Sequence, residues 1–195
     1  DFSTKPRLAS QSGNAILVAG SIYEAAKYYT LFLQTELKGK CAVVTSYNPN
    51  ASDISLEDTG ASTETDKEFI YKTYTDLLEN VSPNKSKTET YESDVKELFR
   101  KQPARMKLLI VVSKLLTGFD APPCSYIYID KKMQDHSLFQ AICRVNRLDT
   151  EDKDYGYIVD YMELFGNVTD AIDVYTSELD SEGFTKEEVS IQLKD

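Results

Sequence analysis

The 195-residue chain holds one histidine, three cysteines and no tryptophan. A single His excludes a histidine-rich metal centre. Cys41, Cys124 and Cys143 fall in no CxxC or other ligand spacing, so neither a metal site nor a disulfide framework is expected. They read as small buried hydrophobes in a reducing compartment. No apolar run approaches the roughly 20 residues that a membrane helix needs. No signal peptide opens the chain, which starts at Asp1 and not Met; the expectation is an excised cytoplasmic fragment with no membrane contact. No GxxxxGK[ST] phosphate loop and no glycine-rich dinucleotide fingerprint occur. His136 has no Ser or Cys nucleophile partner by motif and reads as a surface or helix-start residue.

What is present suits a folded domain. The chain is 41% hydrophobic and 28% charged, with 13 Tyr and 8 Phe to build a core. The net charge of −10 is unevenly spread. Residues 100–147 carry 9 basic and 3 acidic groups, whereas 148–195 carry 3 and 14. A basic block in an acidic chain points to a local anion site, with chance clustering on a solvated face as the plain alternative.

Apolar runs and helical periodicity alternate along the chain. Residues 1–14 are polar, with Pro6 and Gly13, and read as a linker from a preceding domain or an incomplete strand region. Residues 15–20 read as a strand. A helix follows, capped by Ser21 with Glu24 as a capping box and ended by Gly39. Residues 41–45 form the next strand, giving a strand–helix–strand unit with parallel strands. Residues 46–65 are a long polar loop. Helices are expected over 66–81 and 89–102, and strands at 108–112, 126–129 and 156–161. The 108–112 run (LLIVV) has the continuous apolarity of a central parallel strand. A helix spans 136–147, and further helices lie near 162–178 and 185–193. The pattern is α/β, a three-layer domain over 15–161 with a mainly parallel sheet and a helical C-terminal extension over 162–195.

Two places can carry chemistry. On the 136–147 helix, Gln140, Arg144 and Arg147 stand at i, i+4 and i+7, within about 60° of one another at 100° per residue. Leu138, Ala141, Ile142 and Val145 take the opposite face. Two guanidinium groups one turn apart repel, and an anion such as phosphate would offset that. A solvated basic face, or salt bridges to the acidic tail, is the structural alternative. The second place is the loop after the 108–112 strand, with Lys114, Thr117, Gly118 and Asp120. It leaves the carboxyl end of a parallel strand, where ligands of open α/β sheets bind. Gly118 would admit close backbone approach.

These two signals occur in order within 108–147, as LLIVVSKLLTGFDAPPCSYIYIDKKMQDHSLFQAICRVNR. The stretch resembles motifs V and VI of superfamily 2 helicases. LLTGFDAP, LFQAICRVNR and KDYGYIVDY are similar to the R subunit of type I restriction enzymes. ILVAGSIYEAAKYY resembles the motif IV strand and helix, so the similarity spans residues 14–165. It implies the second RecA-like lobe of an ATP-dependent duplex-DNA translocase. Gln140, Arg144 and Arg147 match the motif VI Gln-x-x-x-Arg-x-x-Arg that reaches ATP across a cleft. Thr117, Gly118 and Asp120 match motif V, with Thr117 and Lys114 toward nucleic acid and Gly118 and Asp120 toward the nucleotide. ATP and Mg would be held mainly by the first lobe, with no metal site in this chain. The implied partners are duplex DNA, the first lobe and nuclease domain of the same subunit, and the modification and specificity subunits. Another superfamily 2 helicase lobe, or a noncatalytic α/β binding module, is the alternative. Cys143 stands where many helicases have Gly.

Overall fold

A computed structural model describes residues 1–49, 58–82, 86–133, 135–150 and 153–164; the side chains of Asp135 and His136 lie outside the described set. The elements are β1 (Asn14–Ala19), α1 (Ile22–Phe32), β2 (Cys41–Val44), α2 (Glu64–Leu78), α3 (Lys87–Lys101), β3 (Leu108–Val111), β4 (Cys124–Asp130), α4 (Asp135–Val145) and β5 (Tyr157–Asp160).

The five strands form one sheet in the order β2-β3-β1-β4-β5, and every described pairing is parallel. The expected strand–helix–strand unit is present, but its strands are not neighbours: β3 lies between β1 and β2. LLIVV thus becomes an interior strand, and all four β3 residues are buried.

Alternation along the strands builds two cores. Ile16, Val18, Leu109, Val111, Ile127 and Ile129 face one side, where α3 and α4 pack through Val95, Phe99, Leu138, Ala141, Ile142 and Val145. Ala15, Leu17, Leu108, Ile110, Tyr126 and Tyr128 face the other, under α1 and α2 with Ile22, Ala25, Ile70 and Tyr74. The result is the three-layer α/β architecture that the resemblance implied. The chain crosses from β1 to β2 on the α1 side. It crosses from β3 to β4, and from β4 to β5, in the opposite direction on the α4 side. Opposite directions on opposite faces give all three crossings one hand, as the crossover rule requires.

Several expectations need correction. Residues 1–13 hold no helix or strand, yet they pack as part of the domain. Leu8 is fully buried, and Arg7 donates from Nε to Ser125 Oγ at 2.9 Å and pairs with Asp149. Polarity concealed this, because Arg7 finds its partners more than a hundred residues away. Helix α1 stops at Phe32 and not at Gly39; short turns follow, and Leu37 is buried from one of them. At its start, Ser21 Oγ accepts from Glu24 N, the first half of the expected box. The full reciprocal box forms at Thr63 and Asp66, so α2 begins two residues before the expected start. Of the expected C-terminal helices, residues 162–164 are not helical and the remainder lie outside the described residues.

Candidate functional site

The connection between β3 and β4 carries the TGFD motif, and topology dictates its path. Because β3 and β4 are parallel, residues 112–123 must return from the carboxyl end of one to the amino end of the other. Leu115, Leu116, Phe119 and Ala121 bury into the α4-side core and pin the connection to the sheet. Leu115 and Gly118 both adopt left-handed backbone, at φ 69. For Leu115 this conformation is unfavourable by about 1–3 kcal/mol, offset by burying its side chain. At Gly118 an added Cβ would meet nothing within 4 Å, so glycine is suited there by conformation and not by crowding.

This path separates residues that the sequence reading placed together. Lys114 is at the carboxyl end of β3. Its Nζ lies 2.5 Å from Glu92 Oε2, and Lys96 Nζ lies 2.7 Å from the other carboxylate oxygen of Glu92. Desolvation raises the Glu92 pKa, but the hydrogen bonds from Lys114 and Lys96 outweigh it and hold the carboxyl below its ordinary value. Beside them Lys131 Nζ, at the exit of β4, donates to Val112 O at 3.1 Å and to Ser113 Oγ at 2.9 Å. Asp120 lies toward the other end of the sheet, four residues before β4 begins. The single carboxyl-end location expected for Lys114, Thr117, Gly118 and Asp120 is therefore corrected. Thr117 and Gly118 are exposed midway along the connection.

Helix α4 makes the same return journey, which brings its last turn to Asp120. Arg144 Nε donates to Leu116 O at 3.0 Å, and its Nη1 donates to Phe119 O. Arg147 Nη1 lies 2.6 Å from Asp120 Oδ1, with both side chains at least half exposed. Burial pushes the Arg144 pKa down, and the nearby Arg147 charge adds to that. The tail is not the partner of either arginine in these contacts; the TGFD connection is.

The helix is shorter than expected. It ends at Val145, so Arg147 sits beyond it and not on its face. Gly156 packs on the Val145 carbonyl so tightly that a Cβ would lie 2.3 Å from that oxygen. Leu138, Ala141, Ile142 and Val145 are buried as expected, and Gln140 is half-buried on the same helix. Cys41 and Cys124 are buried, with burial pushing their thiols up to about 11 and about 12. Cys143 is exposed, against expectation, because it falls on the outward side of α4 between Gln140 and Arg144. His136 is the second residue of α4. Among the described residues, no group of three His, Cys, Asp or Glu could hold a metal ion, and no helix is long and apolar enough to cross a membrane.

Sequence reasoning missed Glu92, Lys96 and Lys131. Glu92 and Lys96 carry an i,i+4 signal readable on any helix, but their link to Lys114 spans 22 residues and left no local trace.

The five-stranded parallel sheet, the TGFD connection and the arginine bonded to it define a three-layer α/β domain. Residues 11–163 match the family model for domain 3 of the type I restriction enzyme R subunit, and the chain belongs to that family. The type I restriction enzyme SauCOLORF180P endonuclease subunit of Staphylococcus aureus strain COL is 30% identical over 176 residues, covering 87% of this chain and 19% of that protein. The putative type I restriction enzyme MjaIXP endonuclease subunit of Methanocaldococcus jannaschii is 33% identical over 186 residues, covering 95% and 15%. The chain thus spans less than a fifth of the length of either relative. Among solved structures, the ATP-dependent Type ISP restriction-modification enzyme LlaBIII bound to DNA aligns with a TM-score of 0.32 and 13% identity, covering 81% of this chain and 12% of that one.

Proposed function

We propose that this chain is the second motor lobe of an ATP-dependent DNA translocase, within the R subunit of a cytoplasmic type I restriction endonuclease. Arg144 and Arg147, with Gln140, face ATP held on the first lobe; Gly118 and Asp120 border the nucleotide. Thr117 and Lys114 face duplex DNA. Mg and most of the nucleotide contacts belong to the first lobe, and the nuclease domain and the modification and specificity subunits complete the enzyme.

The observation that supports this reading best is the arrangement of charge along one connection. Its far end presents Arg147 against an exposed Asp120, and its near end presents Lys114 and Lys131. Phosphoryl transfer to water needs charge stabilisation at the γ-phosphate, and an arginine from another lobe can contribute a factor of about 10³–10⁵ in rate. Such an arginine acts only when the cleft closes. An exposed ion pair contributes about 0–1 kcal/mol, so a phosphate can replace Asp120 at little cost. A rigid covalent path between the two ends gives DNA at one end a means of affecting arginine placement at the other.

The test is Arg147→Lys in the full-length subunit. Lysine keeps the charge and loses the planar fork. ATP turnover should fall by about 10² or more while ATP affinity changes less. Turnover within a factor of about two of the parent enzyme would refute the assignment.

A further inference from the structure

Lys114 is held by a carboxylate that already has a second cation. Glu92 has a side chain only 13% exposed, and it binds Lys114 through one oxygen and Lys96 through the other. The two ammonium groups are more open, with side chains 37% and 35% exposed. Removing the partner of a largely buried carboxylate is ordinarily unfavourable, because an uncompensated charge remains. Here Lys96 stays behind. Lys114 can leave Glu92 without orphaning it, and Lys96 comes from the same helix, one turn away, so it needs no rearrangement of the fold.

We infer that Glu92 is a positioning residue that stores Lys114 at the carboxyl end of β3 and hands it to a DNA phosphate, with Lys96 keeping the carboxylate paired during the exchange. This deepens the motor-lobe reading and rests on its placement of Lys114 toward DNA. Lys114 exchanges one anion for another. Its stored position keeps the side chain of the TGFD connection ordered when DNA is absent. The net charge of the three groups is positive, so the site attracts phosphate even in the stored state.

The experiment measures binding of a random-sequence 40-bp duplex by the full-length subunit across a salt series, with a thermal melt of each variant. Lys114→Met should weaken binding and reduce the slope of log K against log salt by about 0.9, the loss of one phosphate contact. Glu92→Gln, which keeps the shape and removes the competing charge, should tighten binding by about two- to fivefold, as expected for loss of a partly exposed ion pair, with the slope unchanged. In the double variant that gain should vanish. Lys96→Met should weaken binding with the slope unchanged, since Lys114 still reaches the phosphate but now leaves Glu92 unpaired. Weaker or unaltered binding by Glu92→Gln would overturn the handover and leave the DNA contact of Lys114 standing. So would a gain that survives in the Lys114→Met background, which would mark a general field effect. A slope reduced by Lys96→Met would make Lys96 a phosphate contact and not a keeper. If Lys114→Met alters neither affinity nor slope, the DNA contact itself is wrong, and the handover with it.

Discussion

The two ends of the β3–β4 connection hold their charges differently. At the carboxyl end Lys114 meets a side-chain carboxylate on α3, and that carboxylate is shared. At the far end Arg144 meets backbone carbonyls of the connection itself, and beside it Arg147 meets the exposed Asp120. Backbone carbonyls fix a loop in place, because they cannot move without moving the chain. Carboxylates on side chains can be exchanged for another anion. Three cations on one domain therefore divide by partner: Arg144 is held by backbone carbonyls, and Lys114 and Arg147 by side-chain carboxylates.

The contrast between Arg144 and Arg147 can be broken by mutation. Arg144→Lys should lower stability by about 1.5–3 kcal/mol, because two charge-assisted hydrogen bonds to carbonyls lose their geometry. Arg147→Lys should leave stability within about 1 kcal/mol of the parent, since it alters only an exposed pair. Urea unfolding of the full-length subunit, followed at the transition of this domain, checks both. Equal destabilisation would erase the distinction. A smaller effect sharpens the role of the exposed middle of the connection. Thr117→Ala should weaken the stimulation of ATPase by DNA by about three- to tenfold, the size of one hydrogen bond lost from a coupled contact. ATP affinity should stay unchanged. A DNA-concentration dependence like that of the parent would remove Thr117 from the DNA path.

The smallest expected effect concerns thiols, and it probes the outward side of α4. Cys143 should be the first thiol to react with an alkylating reagent in the native protein, since it is exposed, although desolvation raises its pKa and slows the reaction at neutral pH. Cys41 and Cys124 should react only on unfolding, because burial both hides them and keeps them protonated, with pKa values near 11 and 12. Mass spectrometry of partially labelled protein checks the order. Labelling of Cys124 before Cys143 would contradict the packing of β4.

Local pattern carried the sequence reading a long way. Apolar runs such as LLIVV and the i, i+3, i+4 spacing of Leu138, Ala141, Ile142 and Val145 report burial directly, because period and burial are the same fact seen twice. Boundaries were less legible. The end of α4 at Val145 lies against Gly156, eleven residues further on, a contact with no local signal. The packing of residues 1–13 depends on Arg7 reaching Ser125 and Asp149. The exposure of Cys143 follows from which side of α4 meets the sheet, and cysteine chemistry does not specify that. Roles for the candidate residues came from the motif VI and motif V resemblance and await the experiments above.

The sequence by itself determined that strands and helices alternate, that the strands lie parallel and, β5 apart, buried, and which side chains line α4. These depend on local hydrophobic pattern, the short-range preference of the backbone and the handedness of crossovers. Only the tertiary structure decided that β3 enters between β1 and β2, and that one connection carries its two charged ends to opposite ends of the sheet. It alone paired Lys114 with Glu92 across 22 residues and Arg147 with Asp120 across 27. The physical reason is distance along the chain. A charge pair of this kind is too weak to direct folding and forms where strand order and helix packing have already brought its members together.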